Sequence, residues 1–252
     1  MKKKLRGFYL ILSSFLICFL HLPFAFGKRI NYSPEAYRYT ARTIKPAVDS
    51  VTLVSSFRSM YDSLHLGISG LSKSAFDMAQ KGFKKIWLQG LLQNDSVVSI
   101  IDFSQPSDKK RLYVLDLKNY KVLYNTLVAH GRNTGKLWAQ SFSNRPSSLK
   151  SSIGFFITGH PYDGNNGLSL KLEGLERGFN NNAERRGIVL HGAGYVCDSY
   201  INDQGFIGRS EGCPAVPREL ASDIINTIKD GSCLFIYHPN KLYRQRSVLA
   251  KG

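Results

Sequence analysis

The chain has 252 residues, a hydrophobic fraction of 43% and a formal net charge of +16 at pH 7. A field of that sign favours an anionic partner. Because the N-terminus carries an export pattern, we exclude nucleic acid and expect an anionic envelope polymer or a membrane surface. The Lys and Arg residues are scattered rather than clustered, which is equally typical of a solvated face.

Residues 1–27 have the pattern of a signal peptide. A basic start is followed by an apolar run, and Ala25 and Gly27 supply the small residues that a signal peptidase reads. We expect cleavage after Gly27, because Pro23 interrupts the run near its end. An uncleaved anchor is the alternative, since the run is nearly long enough to span a bilayer. The protein is therefore expected in the periplasm or cell envelope.

Residues 28–92 are predicted to form a helical N-terminal region without a catalytic constellation. Ser72 is a candidate N-cap, and apolar residues follow it at helical spacing as far as Ile86. A second amphipathic stretch covers residues 51–64. We expect this region to pack on the rest of the chain or to space it from the membrane.

Residues 93–240 change to the period of short strands, punctuated by Gly, Asn, Pro and Asp. The seven runs are VVSIIDF, RLYVLDL, KVLYNTLVA, IGFFITG, LSLKL, GIVLH and CLFIYH. Many short strands with few helices between them indicate a mainly β domain, a sandwich or barrel-like mixed sheet, and not a doubly wound α/β fold. With the helical N-terminal region, the chain is α+β overall.

One late helix interrupts the strands. We expect Pro217 in its first turn, an apolar stripe from Leu220 to Ile228, and Gly231 at its end. Beyond it, residues 241–252 form a basic tail that we expect to fray.

The first stretch with chemical character is GIVLHGAGY, residues 187–195, in which an apolar strand runs directly into His191. A histidine at the end of a strand is held rigidly while its ring reaches solvent. Gly192 and Gly194 let a substrate or another backbone come close. Taken alone, such a histidine is more often structural than catalytic.

The second stretch is GRSEGCPAV, residues 208–216, where Gly212 gives a turn before Cys213. Since a helix starts soon afterwards, we expect its dipole to favour the thiolate at neutral pH. A nearby imidazole would take the thiol proton, and the amides of Gly212 and Cys213 would point at a developing oxyanion. A lone cysteine is more often a small buried hydrophobe, but the histidine and the glycines reverse that balance.

Three further groups of polar residues lie outside these two stretches. His130 ends the run NTLVAH, and it either lines the same cleft or sits as a capped turn residue. His160 and Tyr162 lie in a glycine-rich stretch that is either a loop covering the cleft or an ordinary surface loop, and we expect the surface loop. Arg185 and Arg186 precede the strand that carries His191; they either meet a carboxylate of a substrate or are solvated, and we expect them to be solvated.

Three cysteines remain after cleavage: Cys197, Cys213 and Cys233. An oxidising compartment favours pairing two of them, and an odd number leaves one thiol over. Cys197 and Cys233 could pair and spare Cys213, although the sequence does not fix the connectivity. A zinc site is disfavoured, because Cys213 and His191 give two ligands and no further spacing completes a tetrahedral set.

The two motifs together resemble the YkuD-type L,D-transpeptidases. The similarity lies in the His191–Gly192 pair, the Ser-x-Gly-Cys of residues 210–213, their flanks IVLHGA and GRSEGCPA, and the upstream VAHGRNTG. It is strongest toward the branch of murein L,D-transpeptidase catalytic-domain proteins, and it covers the chain from Tyr61 to His238. The resemblance implies a β-rich domain that remodels peptidoglycan stem peptides through a cysteine acyl-enzyme, with no metal and no cofactor.

The resemblance also implies roles for single residues. Cys213 becomes the nucleophile and His191 the base, and Ser210 orients the loop or the histidine. Gly212 and Cys213 supply the oxyanion-hole amides. The positions expected at the substrate are Gly192, Arg209, His130 and Tyr195.

The chain departs from the family pattern at two places. Many members have His where this chain has Glu211, and Arg or Asn shortly after the cysteine where this chain has Pro214, Ala215 and Val216. These departures concern substrate recognition. We expect a transpeptidase that releases D-alanine and forms cross-links. The alternatives are an L,D-carboxypeptidase or endopeptidase that uses water, and a non-catalytic wall-binding module.

Overall fold

The computed structural model describes residue 57 and residues 59–251, so the predicted signal peptide lies outside the described residues. Residues 59–63 are helical. The elements that follow are α1 (Lys73–Leu88), β1 (Val97–Asp102), β2 (Leu112–Asp116), β3 (Lys121–Thr126), β4 (Gly154–Gly164), β5 (Gly167–Gly174), a 3-10 helix (Glu184–Arg186), β6 (Val189–Ala193), α2 (Asp198–Gln204), β7 (Ala215–Pro217), α3 (Arg218–Ile228), β8 (Cys233–Tyr237) and α4 (Lys241–Arg246).

The strands form one mixed sheet in the order β3-β2-β1-β8-β4-β5-β6-β7, which confirms the mainly β prediction. The pairs β1–β8 and β6–β7 are parallel, and the other pairs are antiparallel. The chain after β3 returns to the opposite edge, where the Ala129 N–H donates to Ala215 O at 2.8 Å. Gly131 bridges Ser210 beside it. The sheet is therefore nearly closed into a barrel at these two bridges.

All seven predicted runs contain a strand, since each is a short run rich in apolar residues and bounded by turn residues. The eighth strand, β7, was missed. It has three residues between Pro214 and the end of the strand at Pro217, and so short a segment carries no periodicity.

Helix α1 begins where the sequence predicts, because the Ser72 side chain accepts a hydrogen bond from the Ala75 N–H at 3.2 Å. Its buried face joins the sheet in one hydrophobic core that also includes α3. Gly82 lies against the Phe155 ring of β4, and a Cβ there would collide with the ring. The described part of the N-terminal region is thus built into the core of the β domain. Among the described residues, no helix is both long and apolar enough to cross a membrane.

Helix α3 starts one residue later than predicted and ends earlier. Pro217 is its N-cap, and the helix stops at Ile228, with Lys229 as its C-cap. Gly231 lies beyond that end with φ +93°. This left-handed backbone conformation favours glycine, and Gly231 lies in the turn that connects α3 to β8.

The prediction that residues 241–252 fray is wrong for the described part. Tyr243 and Ser247 are buried, and both hydroxyls donate to the buried carboxylate of Glu176, the tyrosine at 2.7 Å. The Phe155 N–H donates to the same carboxylate at 2.8 Å. Burial raises the pKa of Glu176. A basic composition concealed this anchor, because the residues that carry it are few and widely spaced.

Because Gly82 lies so close to Phe155, we expect an alanine at this helical position to lower the stability of the protein, whereas glycine to alanine in a helix usually raises it. Glycine to alanine in an exposed helix gains about 1 kcal/mol. In Gly82→Ala the added methyl meets the Phe155 ring, so we expect the free energy of unfolding to fall by about 1–3 kcal/mol. Urea unfolding measures it, with Lys81→Ala on the exposed face as the matched control. A gain in stability for Gly82→Ala would show that the helix is not seated on β4 as described.

Candidate active site

The two sequence motifs meet where β6 pairs with β7. His191 lies opposite Ala215 in this parallel pair, and its N–H donates to Pro214 O at 3.4 Å. Cys213 stands two residues before Ala215. His191 and Cys213 both line one cleft with a volume of about 690 Å³. The pairing of two short strands thus brings together an imidazole and a thiol from distant parts of the chain.

The cleft is cationic. Three guanidinium groups and one carboxylate line it; these residues are Arg132, Arg186, Arg209 and Glu211. Arg132 pairs with Glu211 at 2.7 Å, and both side chains are exposed. A cleft with excess positive charge favours anionic groups such as peptide carboxylates.

The Cys213 thiol is half-buried and hydrogen-bonded. Its sulfur accepts from the Val189 N–H at 3.5 Å and donates to Gly187 O at 3.6 Å. Burial raises the pKa of Cys213 above its ordinary value, and Glu211 raises it further, while the Val189 N–H and Arg186 act in the opposite direction. The resting thiol is therefore neutral at pH 7.

The expectation of a resting thiolate is wrong, and the fold gives the reason. Strand β7 lies between Cys213 and helix α3, which begins at Arg218. The effect of a helix dipole falls off within the first turn, so desolvation dominates at the sulfur.

The His191 side chain is held as a neutral imidazole. Its side chain is 4% exposed, and its Nδ1 lies 3.0 Å from Gly192 O. Because a carbonyl only accepts, Nδ1 carries the proton and Nε2 keeps its lone pair. Burial lowers the pKa of His191 below its ordinary value of 6.5, opposed by the hydrogen bond to Gly192.

Gly192 lets α3 approach β6 closely. A Cβ at this position would lie 2.7 Å from Ala221 Cβ and 3.2 Å from Arg218 Cα. The glycine therefore has a packing role beside His191, in addition to any contact with a substrate.

Ser210 closes the turn around the cysteine. Its Oγ donates to Cys213 O at 2.6 Å and accepts from the Gly212 N–H at 3.1 Å. Of the two roles considered for Ser210, this geometry matches orientation of the loop. The Gly212 amide, predicted for the oxyanion hole, is committed to the serine in the resting structure. Gly212 itself has φ +131°, and a Cβ there would lie 2.8 Å from Lys150 O.

Arg186 differs from the expectation of a solvated side chain. Its guanidinium is half-buried and donates to Ser143 O at 2.8 Å and to Lys150 O at 2.6 Å. It thereby fixes the loop of residues 143–150 along the rim of the cleft. Nothing in the local sequence distinguishes Arg186 from its neighbour Arg185.

The segment containing His160 and Tyr162 is a hairpin arm and not a loop. Both residues lie on β4, and His160 Nδ1 is 2.6 Å from an Asp230 carboxylate oxygen. The turn of the hairpin places Asn165 and Asn166 on the wall of the cleft. The prediction of an ordinary surface loop is therefore wrong at the tip.

The predicted position of His130 at the substrate is also wrong, because its side chain is fully buried behind the cleft. Its Nδ1 lies 2.7 Å from Arg111 Nη2, and its Nε2 lies 3.2 Å from Gly135 O. Arg111 was missed altogether. As the first residue of the run RLYVLDL it has the pattern of an ordinary polar residue at the start of a strand.

Arg209 and Tyr195 both line the cleft, as the sequence motifs predict. Arg209 Nη1 donates to Arg132 O and to Gly135 O, each at 3.3 Å. Burial, with Cys213 and Glu211 nearby, raises the pKa of Tyr195 to about 12. Tyr195 therefore remains a phenol that is able to donate at neutral pH.

The three described cysteines are free thiols. Cys233 is buried in β8, whereas Cys197 is partly exposed beside α2, so the considered Cys197–Cys233 disulfide is not formed. In the described part of the chain, no three His, Cys, Asp or Glu side chains are grouped so that they could hold a metal ion.

Comparison with known proteins identifies one family. Residues 68–237 match the family model for the L,D-transpeptidase catalytic domain. No curated protein matches the sequence.

Several solved structures are similar to the chain. An L,D-transpeptidase from Mycobacterium smegmatis has 12% identity and a TM-score of 0.36, over 57% of this chain and 59% of that chain. L,D-transpeptidase 1 from Mycobacterium tuberculosis has 12% identity and a TM-score of 0.32, over 57% and 62%. The L,D-transpeptidase of Xylanimonas cellulosilytica has 18% identity and a TM-score of 0.32, over 61% and 68%. The chain thus spans less than two thirds of the two mycobacterial proteins.

The resting state of the thiol is directly testable. In a Cys197→Ser background, the rate of Cys213 alkylation by iodoacetamide should rise with pH with a midpoint above the ordinary 9.0, because burial raises the thiol pKa. Glu211→Gln removes a neighbouring negative charge and should lower that midpoint. Mass spectrometry of the intact protein follows the reaction. A midpoint at or below neutrality would mean that the resting sulfur is ionised.

Proposed function

The chain belongs to the L,D-transpeptidase catalytic-domain family, and from this premise we propose that it is a peptidoglycan L,D-transpeptidase that works through a Cys213 acyl-enzyme. The observation that supports this most strongly is the meeting of a neutral imidazole and a neutral thiol in one cationic cleft. The donor is a stem tetrapeptide ending in meso-diaminopimelate and D-alanine. The products are free D-alanine and a cross-linked stem peptide.

In the first half-reaction, Cys213 attacks the carbonyl that follows the L-centre of diaminopimelate. His191 Nε2 takes the thiol proton as the carbon–sulfur bond forms, so no resting ion pair is needed. The tetrahedral intermediate collapses when the imidazolium returns this proton to the D-alanine nitrogen and the carbon–nitrogen bond breaks. A thioester remains on Cys213. Since burial lowers the pKa of His191, its conjugate acid is a stronger proton donor for the leaving amine.

In the second half-reaction, an acceptor amine attacks the thioester carbonyl. His191 takes a proton from the amine, the carbon–sulfur bond breaks, and the proton returns to the sulfur. The new amide bond is the cross-link. Water in place of the amine would give a trimmed tripeptide instead.

Two features of the turn support the chemistry. We assign the Cys213 N–H to the oxyanion as a hydrogen-bond donor. The Gly212 N–H becomes a second donor if it leaves Ser210 Oγ, its partner in the resting structure, and turns to the oxyanion. Ser210 acts as a positioning residue, because it fixes Cys213 O at 2.6 Å. We also assign to Arg209 the terminal carboxylate of D-alanine. Arg132 is already paired with Glu211, and both terminal nitrogens of Arg186 are bonded to the rim loop, whereas Arg209 makes its two backbone hydrogen bonds through Nη1.

The proposed setting is the cell envelope. The N-terminal pattern of residues 1–27 supports export to the periplasm or envelope, where the stem peptides are found. The excess positive charge of the chain supports contact with anionic envelope polymers.

Purified protein incubated with tetrapeptide muropeptides tests the reaction. We expect D-alanine release and dimers from the wild type and neither from Cys213→Ala. His191→Ala should lose about 10²- to 10⁴-fold in rate, as for other general bases. Chromatography with mass spectrometry measures both products. Equal activity in wild type and Cys213→Ala would remove the proposal, and tripeptide monomers without dimers would assign water as the acceptor.

The protonation states give a pH profile for the same reaction. Protonation removes the His191 base, so kcat/KM should fall only as the pH drops through the lowered pKa of His191, below 6.5. Because burial raises the pKa of Cys213 above 9.0, no basic limb is expected below that pH. Initial rates of D-alanine release at pH values from about 4 to about 9 give the pH dependence of kcat/KM. An acid limb above pH 6.5 would contradict the assignment of the base.

A further inference from the structure

A buried arginine stands behind the active-site loops. Arg111 is fully buried, and its guanidinium donates to Val128 O at 2.9 and 3.1 Å and to Gln105 O at 2.9 Å. It also lies 4.7 Å from the centre of the Phe103 ring. None of the ion pairs found among the described residues includes Arg111. Asp102 and Asp108 attract Arg111 only from beyond ion-pair distance. Because burying a charge without a directly paired carboxylate is costly, the burial of this side chain calls for an explanation.

Arg111 fixes the orientation of His130. Arg111 Nη2 donates to His130 Nδ1 at 2.7 Å, so the imidazole proton must be on Nε2, which donates to Gly135 O at 3.2 Å. Burial and the adjacent guanidinium lower the pKa of His130 to about 3, so the ring stays neutral at physiological pH. His130 therefore accepts at one end and donates at the other.

The Gly135 carbonyl connects this pair to the cleft. It also accepts from Arg209 Nη1 at 3.3 Å. The backbone of His130 reaches the cysteine turn, because the Ser210 N–H donates to His130 O at 3.0 Å and the Arg132 N–H donates to Ser210 O at 2.7 Å. His130 thus contacts both the Gly135 carbonyl, which holds Arg209, and the turn that carries Cys213.

We propose that His130, held by Arg111, is a positioning residue that aims Arg209 at the donor carboxylate and sets the register of the Cys213 turn. The first part rests on the proposed function, since it assigns Arg209 a carboxylate of the substrate. The second part concerns the fold of the cleft and holds for any chemistry at Cys213.

The choice of variants follows from the two-ended role of the ring. Glutamine carries an acceptor and a donor on one planar head and so can preserve both contacts. Leucine fills the space and preserves neither. His130→Leu and His130→Gln are therefore a matched pair. Tyr243→Phe is a distant control, because it removes a buried hydrogen bond to Glu176 away from the cleft.

The activity test compares two donors, a tetrapeptide with a free D-alanine carboxylate and the same peptide with a D-alaninamide end. We expect the wild type to have a higher kcat/KM for the carboxylate donor than for the amide donor. In His130→Leu this ratio should fall about tenfold, mainly through a higher KM for the carboxylate donor, because the group that binds it is misplaced. His130→Gln should restore most of the preference, and Tyr243→Phe should not change it. An unchanged preference in His130→Leu would overturn the link to Arg209.

A double-mutant cycle separates positioning from a general loss of stability. Arg209→Gln should remove the preference for the carboxylate, and adding His130→Leu should then have little further effect on it. Independent, multiplying losses would mean that His130 does not act through Arg209.

Hydrogen exchange tests the second part without any substrate. The amides of Ser210 and Arg132 should exchange faster in His130→Leu than in wild type, and at the wild-type rate in His130→Gln. If the wild type releases no D-alanine, the proposed function fails while this measurement still decides whether His130 positions the turn. Unchanged exchange at both amides in His130→Leu would refute that positioning.

Discussion

The parallel pairing of β6 with β7 is the constraint on which the site depends. It sets His191 opposite Ala215, and so it sets the imidazole beside the turn that carries Cys213. A shift of one residue in this register would turn the side chains of β7 to the other face of the sheet. The bridge from Ala129 to Ala215 holds this pair on its outer side. The contact that nearly closes the sheet therefore also fixes the strand next to the site.

Burial then decides the electrostatics of the pair. It lowers the pKa of His191 and raises the pKa of Cys213, so both groups are neutral in the resting protein. In the reaction that we propose, each charge appears only when the proton moves between these two groups. Arg186 is the cation that lowers the pKa of the Cys213 thiol, so it would stabilise the thiolate of the proposed reaction. This arrangement keeps the thiol less reactive toward small electrophiles than a preformed thiolate would be.

The sequence predicts those features that arise from neighbouring residues. The seven strands, the Ser72 cap and the two motifs around His191 and Cys213 all depend on short-range patterns. The features that sequence reasoning missed depend on partners far along the chain. His130 has the pattern of a cleft residue until the fold places Arg111 against it, and a basic tail is anchored by Glu176. The ionisation of the thiol was mispredicted for a related reason, since desolvation depends on how the whole cleft is packed.

Two buried polar groups of opposite sign show how the fold uses such distant partners. Glu176 gathers donors from β4 and from the C-terminal segment, and Arg111 gathers carbonyl acceptors and an imidazole behind the cleft. Neither forms an ion pair among the described residues. Each is instead satisfied by hydrogen bonds whose directions are fixed, and a partly satisfied buried network is worse than an apolar one. An apolar residue in place of Arg111 would remove the donor to His130 Nδ1 and leave the ring with its hydrogen bond to Gly135 O. The cost of burying the guanidinium is therefore understandable where one orientation of a loop must be selected, which is the case at the wall of this cleft.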